Sequence, residues 1–454
     1  MLFNTAPFFA FFTVVLLLFY AIPAWTVRKW ILLIASYYFY ASWNVYFLPL
    51  LGTLTLIDYG CAMWIERSRK PKLALAISLA ANLGFLGFFK YTNFLAGMVA
   101  PLTGQPARVF DIVLPLGISF HTFQSISYIV DVYRRQQPAI RRLPDYALFI
   151  SFFPQLVAGP IVRARTFFGD LLAWQAPSGE DLRLGAWLMM LGLTKKMAFA
   201  DRFAIVADSY FANPVPGQLT AITATLAFGL QIFFDFSGYT DMAIGMAKLL
   251  GFHFPENFRR PYLAGSITEF WRRWHISLSS WLRDYLYIPL GGSRHGRWLT
   301  YRNLLITMLL GGLWHGASWN FLIWGGYHGL LLGLERATGL GQPRGWMRLP
   351  RMALTLILVM LGWIFFRAGT FEASRFVLAQ VFTGARGTDL LNSWQWGLAG
   401  LSLAGALIED RWPVTESLAR GPSWAYVPAF ATMGLVLEVF GVFDQAIPFI
   451  YFQF

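Results

Sequence analysis

Apolar runs long enough to cross a bilayer alternate with short polar connections along the whole chain. A crossing helix needs roughly 17–25 largely apolar residues. Runs of that kind fall at about 7–24, 30–48, 49–65, 73–90, 110–132, 182–200, 218–250, 303–334, 350–366, 393–409 and 424–442. The stretches 94–101 and 145–162 are too short or too interrupted to assign. No soluble domain, low-complexity tract or internal repeat breaks the pattern, which predicts an all-α polytopic transmembrane bundle forming a single domain over residues 1–454.

The polar connections orient the bundle. Arg28-Lys29, Arg67 to Lys72 and Arg134 to Arg142 follow the first, third and fifth runs. Because basic loops stay in the cytoplasm, the N-terminus of this multi-pass protein is expected outside. No Lys or Arg precedes the first run and no small-residue cleavage site follows it, so it reads as a retained span.

Composition supports the bilayer assignment. Hydrophobic residues make up 57% of the 454 and charged residues only 13%, against about 25% charged in a soluble domain. The net charge of +13 lies in the loops rather than in one basic domain, so topology explains it and no nucleic-acid partner is expected. A lone cysteine, Cys61, excludes intrachain disulfides and Cys-based metal clusters.

Two runs are irregular in a way that bears on chemistry. Within 303–334, His315 sits in Leu313-Trp314-His315-Gly316, and an ionisable group at that depth needs a partner, a wet cavity or a task. Residues 303–314 would rise only about 18 Å as a helix, roughly half a hydrocarbon core of about 30 Å. Gly311, Gly312 and Gly316 then favour a break, which leaves His315 at the end of a half-helix. An interhelical hydrogen bond is the alternative role for His315, and a structural role is favoured for His328. Within 218–250, Gln231, Asp235, Gly238 and Met242 share a stripe with Asp241 at its edge. Those carboxylates, with Tyr239 between them, are candidates for a polar path or for anchoring partners inside the bundle.

Between these runs lies Thr268 to Arg283. Its Trp271, Trp274, Leu278, Trp281 and Leu282 recur at three- and four-residue spacing, with Arg272, His275, Ser279 and Arg283 on another face. That pattern predicts one amphipathic helix at an interface or a cavity mouth. Arg259, Arg260, Arg272, Arg273, Arg283, Arg294 and Arg297 crowd this region. A positive-inside loop accounts for them, and they would equally attract a phosphate-rich ligand such as coenzyme A. There is no Walker loop, HExxH or GxSxG, hence no sign of ATP use, of a zinc protease or of an α/β-hydrolase, and no metal site is expected.

Taken together, Phe120-His121-Thr122-Phe123-Gln124, Phe153 to Pro160, Asp235-Phe236-Ser237-Gly238-Tyr239-Thr240-Asp241, Phe270-Trp271-Arg272-Arg273-Trp274-His275, Leu313-Trp314-His315-Gly316 and the ending Phe449 to Phe454 resemble the membrane-bound O-acyltransferase family. The wording is most similar to its bacterial alginate O-acetylation branch. The resemblance implies broken or re-entrant helices around a central tunnel, with a catalytic core at about 110–335. It places the family's catalytic histidine at His315 and its second motif position at His275, where many eukaryotic relatives carry Asn or Asp. It further implies acetyl transfer from cytoplasmic acetyl-CoA, with no bound cofactor, towards an extracytoplasmic polysaccharide acceptor. Arg272 and Arg273 would attract the donor's phosphates, and a periplasmic SGNH-hydrolase-like acetyltransferase would serve as partner. D-alanyl transfer to teichoic acid and proton- or ion-coupled transport are the competing readings.

Overall fold

The computed structural model describes residues 1–454 except 105, 107, 108, 158, 342–344, 445, 446, 453 and 454, and Phe452 through its backbone alone. Ala158, Gln453 and Phe454, which belong to stretches singled out above, therefore lie outside the described residues. No strand occurs among the described residues. The helices are α1 (Ala6–Ala21), α2 (Trp25–Ala41), α3 (Leu48–Arg67), α4 (Pro71–Thr103), α5 (Ile118–Tyr133), α6 (Leu143–Ser151), α7 (Phe153–Leu156), α8 (Ala164–Leu172), α9 (Gly179–Thr194) and α10 (Asp201–Ala212). They continue as α11 (Gln218–Leu249), α12 (Ile267–Arg273), α13 (Ile276–Leu282), α14 (Arg297–His315), α15 (Trp319–Thr338), α16 (Arg348–Arg367), α17 (Phe371–Thr383), α18 (Ser393–Arg411), α19 (Val414–Arg420) and α20 (Ser423–Phe440).

Among the described residues, five helical stretches are long and apolar enough to cross a bilayer: Val45–Arg67, Pro71–Thr103, Gln218–Leu249, Gly345–Arg367 and Ser423–Phe440. The other predicted runs also fold as helix, but shorter, interrupted or more polar. Of the two unassigned stretches, 94–101 is the last part of α4, and 145–162 contains most of α6 and all of α7.

The chain forms two compact units. The first comprises Met1–Leu182 and Met246–Pro255. Its apolar helices are pinned by the few polar groups they bury. Lys29 of α2 meets Asp145 of α6 at 2.6 Å, and Asp58 of α3 accepts from Ser78 Oγ and from Asn82 Nδ2 of α4. Each bond satisfies a group that would be costly to leave unpaired away from water.

The second unit comprises Arg183–Gly245 and Glu256–Phe454. At its centre α14 and α15 pack as an antiparallel hairpin. A side chain at Gly312 would collide with the carbonyl of Phe321, and one at Gly325 with the carbonyl of Met308. The glycines therefore serve close helix approach, and α14 continues through Gly311 and Gly312 to His315. The expected break follows His315, at Gly316–Ser318, but α14 starts at Arg297, so His315 ends a helix of 19 residues rather than a half-helix.

The stretch Thr268 to Arg283 departs from expectation. It is two short helices, α12 and α13, and His275 at the junction adopts left-handed backbone, φ +43°. The cause is tertiary. Asn257 caps the start of α13, its carbonyl accepting from Ile276 N–H at 2.9 Å and its side chain from Ser277 N–H at 3.1 Å. Trp274 and His275 are consequently turned into the core, 1% and 0% exposed.

Candidate active site

His315 ends α14 at 5% exposure, and aromatic rings enclose it. Trp314 lies 4.9 Å away, Trp324 of α15 5.1 Å, Phe366 of α16 5.1 Å and Tyr451 of the C-terminal segment 5.6 Å, centroid to centroid. The surroundings of His315 are therefore apolar and aromatic.

His275 lies outside the apolar runs in sequence but inside the core in space. Its ring packs edge-on against Phe236 at 4.6 Å and approaches Trp314 at 6.2 Å and Tyr451 at 6.5 Å. Both ring nitrogens are buried without a hydrogen-bond partner among the described residues. Burial pushes its pKa down to about 3, so the ring is neutral at physiological pH. His275 and His315 thus meet through two shared neighbours, Trp314 and Tyr451. Full burial of His275 departs from the face of an amphipathic helix on which the spacing places it.

The carboxylates of α11 separate into two settings. Asp235 pairs with Lys196 Nζ at 2.9 Å, which also meets Asp201 at 2.7 Å. The other oxygen of Asp235 accepts from Ile450 N–H at 2.7 Å. Tyr239, fully buried, lies against Phe449 at 4.4 Å and beside Lys196. Asp241 instead pairs with Lys195 at 2.6 Å. Both carboxylates are therefore held by lysines. Lys195 and Lys196 sit in a π-turn, Lys195–Ala200, between α9 and α10. Sequence reasoning missed these lysines, yet a Lys-Lys pair at the end of one apolar run and two aspartates inside another were available as a signal of charge pairing.

Arg272 and Arg273, adjacent in sequence, differ in environment. Arg273 is engaged by Glu269 at 2.6 Å and Asp410 at 3.5 Å. Arg272 has no ion pair among the described residues and lines an open cavity of about 490 Å³ together with Ser266, Glu269, Tyr287, Glu335 and Arg336. Other members of the arginine cluster are also neutralised locally: Arg259 by Glu256, Arg260 by Asp410 and Arg283 by Asp284.

Neither His275 nor His315 lines that cavity. A series of ring contacts runs from its wall to the buried His315. Trp271, next to Arg272, meets Trp324 at 5.7 Å, and Trp324 meets His315. His328 fills the angle between them, 5.2 Å from Trp271 and 5.1 Å from Trp324. His121 lies elsewhere, fully buried in α5 of the first unit.

Comparison with known proteins adds the following. The sequence pattern of MBOAT, the membrane-bound O-acyltransferase family, matches residues 135–371. A probable alginate O-acetylase AlgI of Azotobacter vinelandii is 44% identical over 392 residues, which are 84% of this chain and 78% of that protein. A peptidoglycan O-acetyltransferase of Helicobacter pylori is 38% identical over 428 residues, 86% of this chain and 81% of that protein. A teichoic acid D-alanyltransferase of Bacillus subtilis is 33% identical over 238 residues, 48% of this chain and 58% of that protein.

Proposed function

The chain belongs to the membrane-bound O-acyltransferase family, and from that footing we propose that it moves acetyl from cytoplasmic acetyl-CoA across the inner membrane for O-acetylation of an alginate-like polysaccharide, with His315 as general base. It is a multi-pass membrane enzyme of the O-acyltransferase class. Acetyl rather than D-alanyl transfer is supported by the O-acetylating relatives, which align over more than four-fifths of the chain, while the D-alanylating relative aligns over about half.

The observation that carries the reading is the placement of His315: an imidazole at the end of an interrupted helix, enclosed by rings, with a second neutral histidine against the same tyrosine. The attacking hydroxyl oxygen forms a bond to the thioester carbonyl carbon as its proton passes to His315. The carbon–sulfur bond then breaks, and the thiolate of coenzyme A takes the proton back. Assistance of this kind contributes typically about 10²- to 10⁴-fold. His275 orients or polarises the acyl group. Arg272, facing the cavity with Arg336, draws in the donor's phosphates, and Arg273 adds to the local field. A periplasmic SGNH-hydrolase-like acetyltransferase receives the acetyl group and passes it to the polymer.

The test is acetyl-CoA turnover by the purified protein in proteoliposomes supplied with the periplasmic acetyltransferase as acceptor, with coenzyme A release and donor binding measured together. His315→Gln should bind acetyl-CoA as wild type does and release no coenzyme A above background. Wild-type turnover in that variant would overturn the assignment.

A further inference from the structure

The C-terminal segment delivers Tyr451 to both histidines, and four hydrogen bonds tie that segment to the polar groups beside the π-turn. Arg202 of α10 donates to the carbonyls of Phe440 at 2.8 Å and Gly441 at 3.1 Å. Val442 N–H donates to the carbonyl of Met197 at 3.2 Å. Further along, the buried Ile450 N–H donates to Asp235 Oδ2. Insertions of this kind in a helix shift its carbonyls off the regular ladder and are frequent at functional sites. Here the turn carries both Met197 and Lys196.

Both oxygens of Asp235 are thereby committed, one to Lys196 and one to the backbone of Ile450. Lys196 is 1% exposed and is compensated by Asp201 as well. A fully buried charge cluster is an expensive way to hold one amide, since an apolar contact would serve packing equally well. What it adds is direction: the next residue along is Tyr451, against the rings of His315, His275 and Phe236.

We propose that Asp235 and Lys196 are positioning residues, a clasp that holds the C-terminal segment, and with it Tyr451, against His315 in the reaction site. The proposal rests on His315 being the reacting group. A misplacement of about 1 Å at a reacting centre can cost about 100-fold in rate. The clasp acts on turnover rather than on donor binding, because the cavity of Arg272 is lined by other elements.

Two readouts test it in the full-length protein. In a Cys61→Ala background, Ile450→Cys keeps the backbone N–H and introduces a buried thiol. That thiol should resist a small methanethiosulfonate reagent, become reactive when Asp235→Leu is added, and stay protected with Asp235→Asn, which retains an acceptor oxygen. Turnover of acetyl-CoA by Asp235→Leu, without the thiol, should fall about 100-fold at unchanged KM, and Asp235→Asn should recover most of it. If Asp235→Leu does not accumulate, Ile450→Pro deletes the donated N–H with the charge cluster intact and should give the same loss. A thiol still protected beside Asp235→Leu, or control-level turnover in either Asp235→Leu or Ile450→Pro, would overturn the clasp. Thiol protection requires no catalysis, so it reports on the clasp even if His315 proves not to be the base.

Discussion

His315 and Tyr451 face one another with ring centroids 5.6 Å apart and planes inclined at 46°. The tyrosine belongs to the final turn of the chain, Ile450–Phe452, and the histidine to the end of α14. This pairing closes the site from the C-terminal side while Trp314, Trp324 and Phe366 close the others. The enclosure restricts how water and acceptor approach the imidazole.

The first prediction concerns the base. An amide can hydrogen-bond but cannot accept a proton at neutral pH. His315→Gln and His315→Ala should both lower coenzyme A release by about 10²- to 10⁴-fold or more, with expression and thermal stability near wild type. His328→Ala should lose far less activity. Polymer acetylation near normal in a His315→Gln strain is the result that would remove the base assignment.

A second prediction follows from the left-handed backbone at His275. Asn, Asp and His visit that region several times more often than other non-glycine residues, while a β-branched residue is strained there. His275→Asn should therefore fold with a melting temperature close to wild type. His275→Val should be less stable by about 1–2 kcal/mol from backbone strain alone. Equal melting temperatures for the two variants would contradict the junction geometry.

The two adjacent arginines should separate in their effects. Arg272→Gln should raise the KM for acetyl-CoA about tenfold, the lower end of what a hydrogen bond to a charged group contributes. The wild-type KM should itself rise with salt. Arg273→Gln loses ion pairs to Glu269 and Asp410 and should act mainly on stability, by up to about 1 kcal/mol for a pair near the surface. Steady-state kinetics and thermal melts of both variants decide. A larger KM effect at Arg273 would reverse the assignment.

Orientation is tested by accessibility. Arg69 and Gln136 are exposed and lie in basic loops expected in the cytoplasm. Gln137, next to the second site, is buried and unsuitable for labelling. In a Cys61→Ser background, cysteines placed singly at Arg69 and Gln136 should react with an impermeant thiol reagent only after the cytoplasmic face is opened. Labelling of either in intact cells would invert the topology.

Much of this protein is legible in its sequence. The period and length of the apolar runs specify helices, because a chain in lipid must satisfy its backbone groups internally. His315 announced itself as an ionisable group in an apolar run with glycines around it. The exact end of α14 did not, since Gly311 and Gly312 read as breakers until α15 is seen packed against them. The three- and four-residue spacing puts His275 on the polar face of one unbroken helix. The break is imposed by Asn257, a residue distant from the run it interrupts. Asp235 stands out in the sequence while Lys196 does not, and only folding joins the two to Ile450. Local pattern reports what a segment does with its own backbone and solvent. Which buried polar groups compensate one another depends on long-range approach, and in this protein that approach alone brings Tyr451, His275 and His315 together.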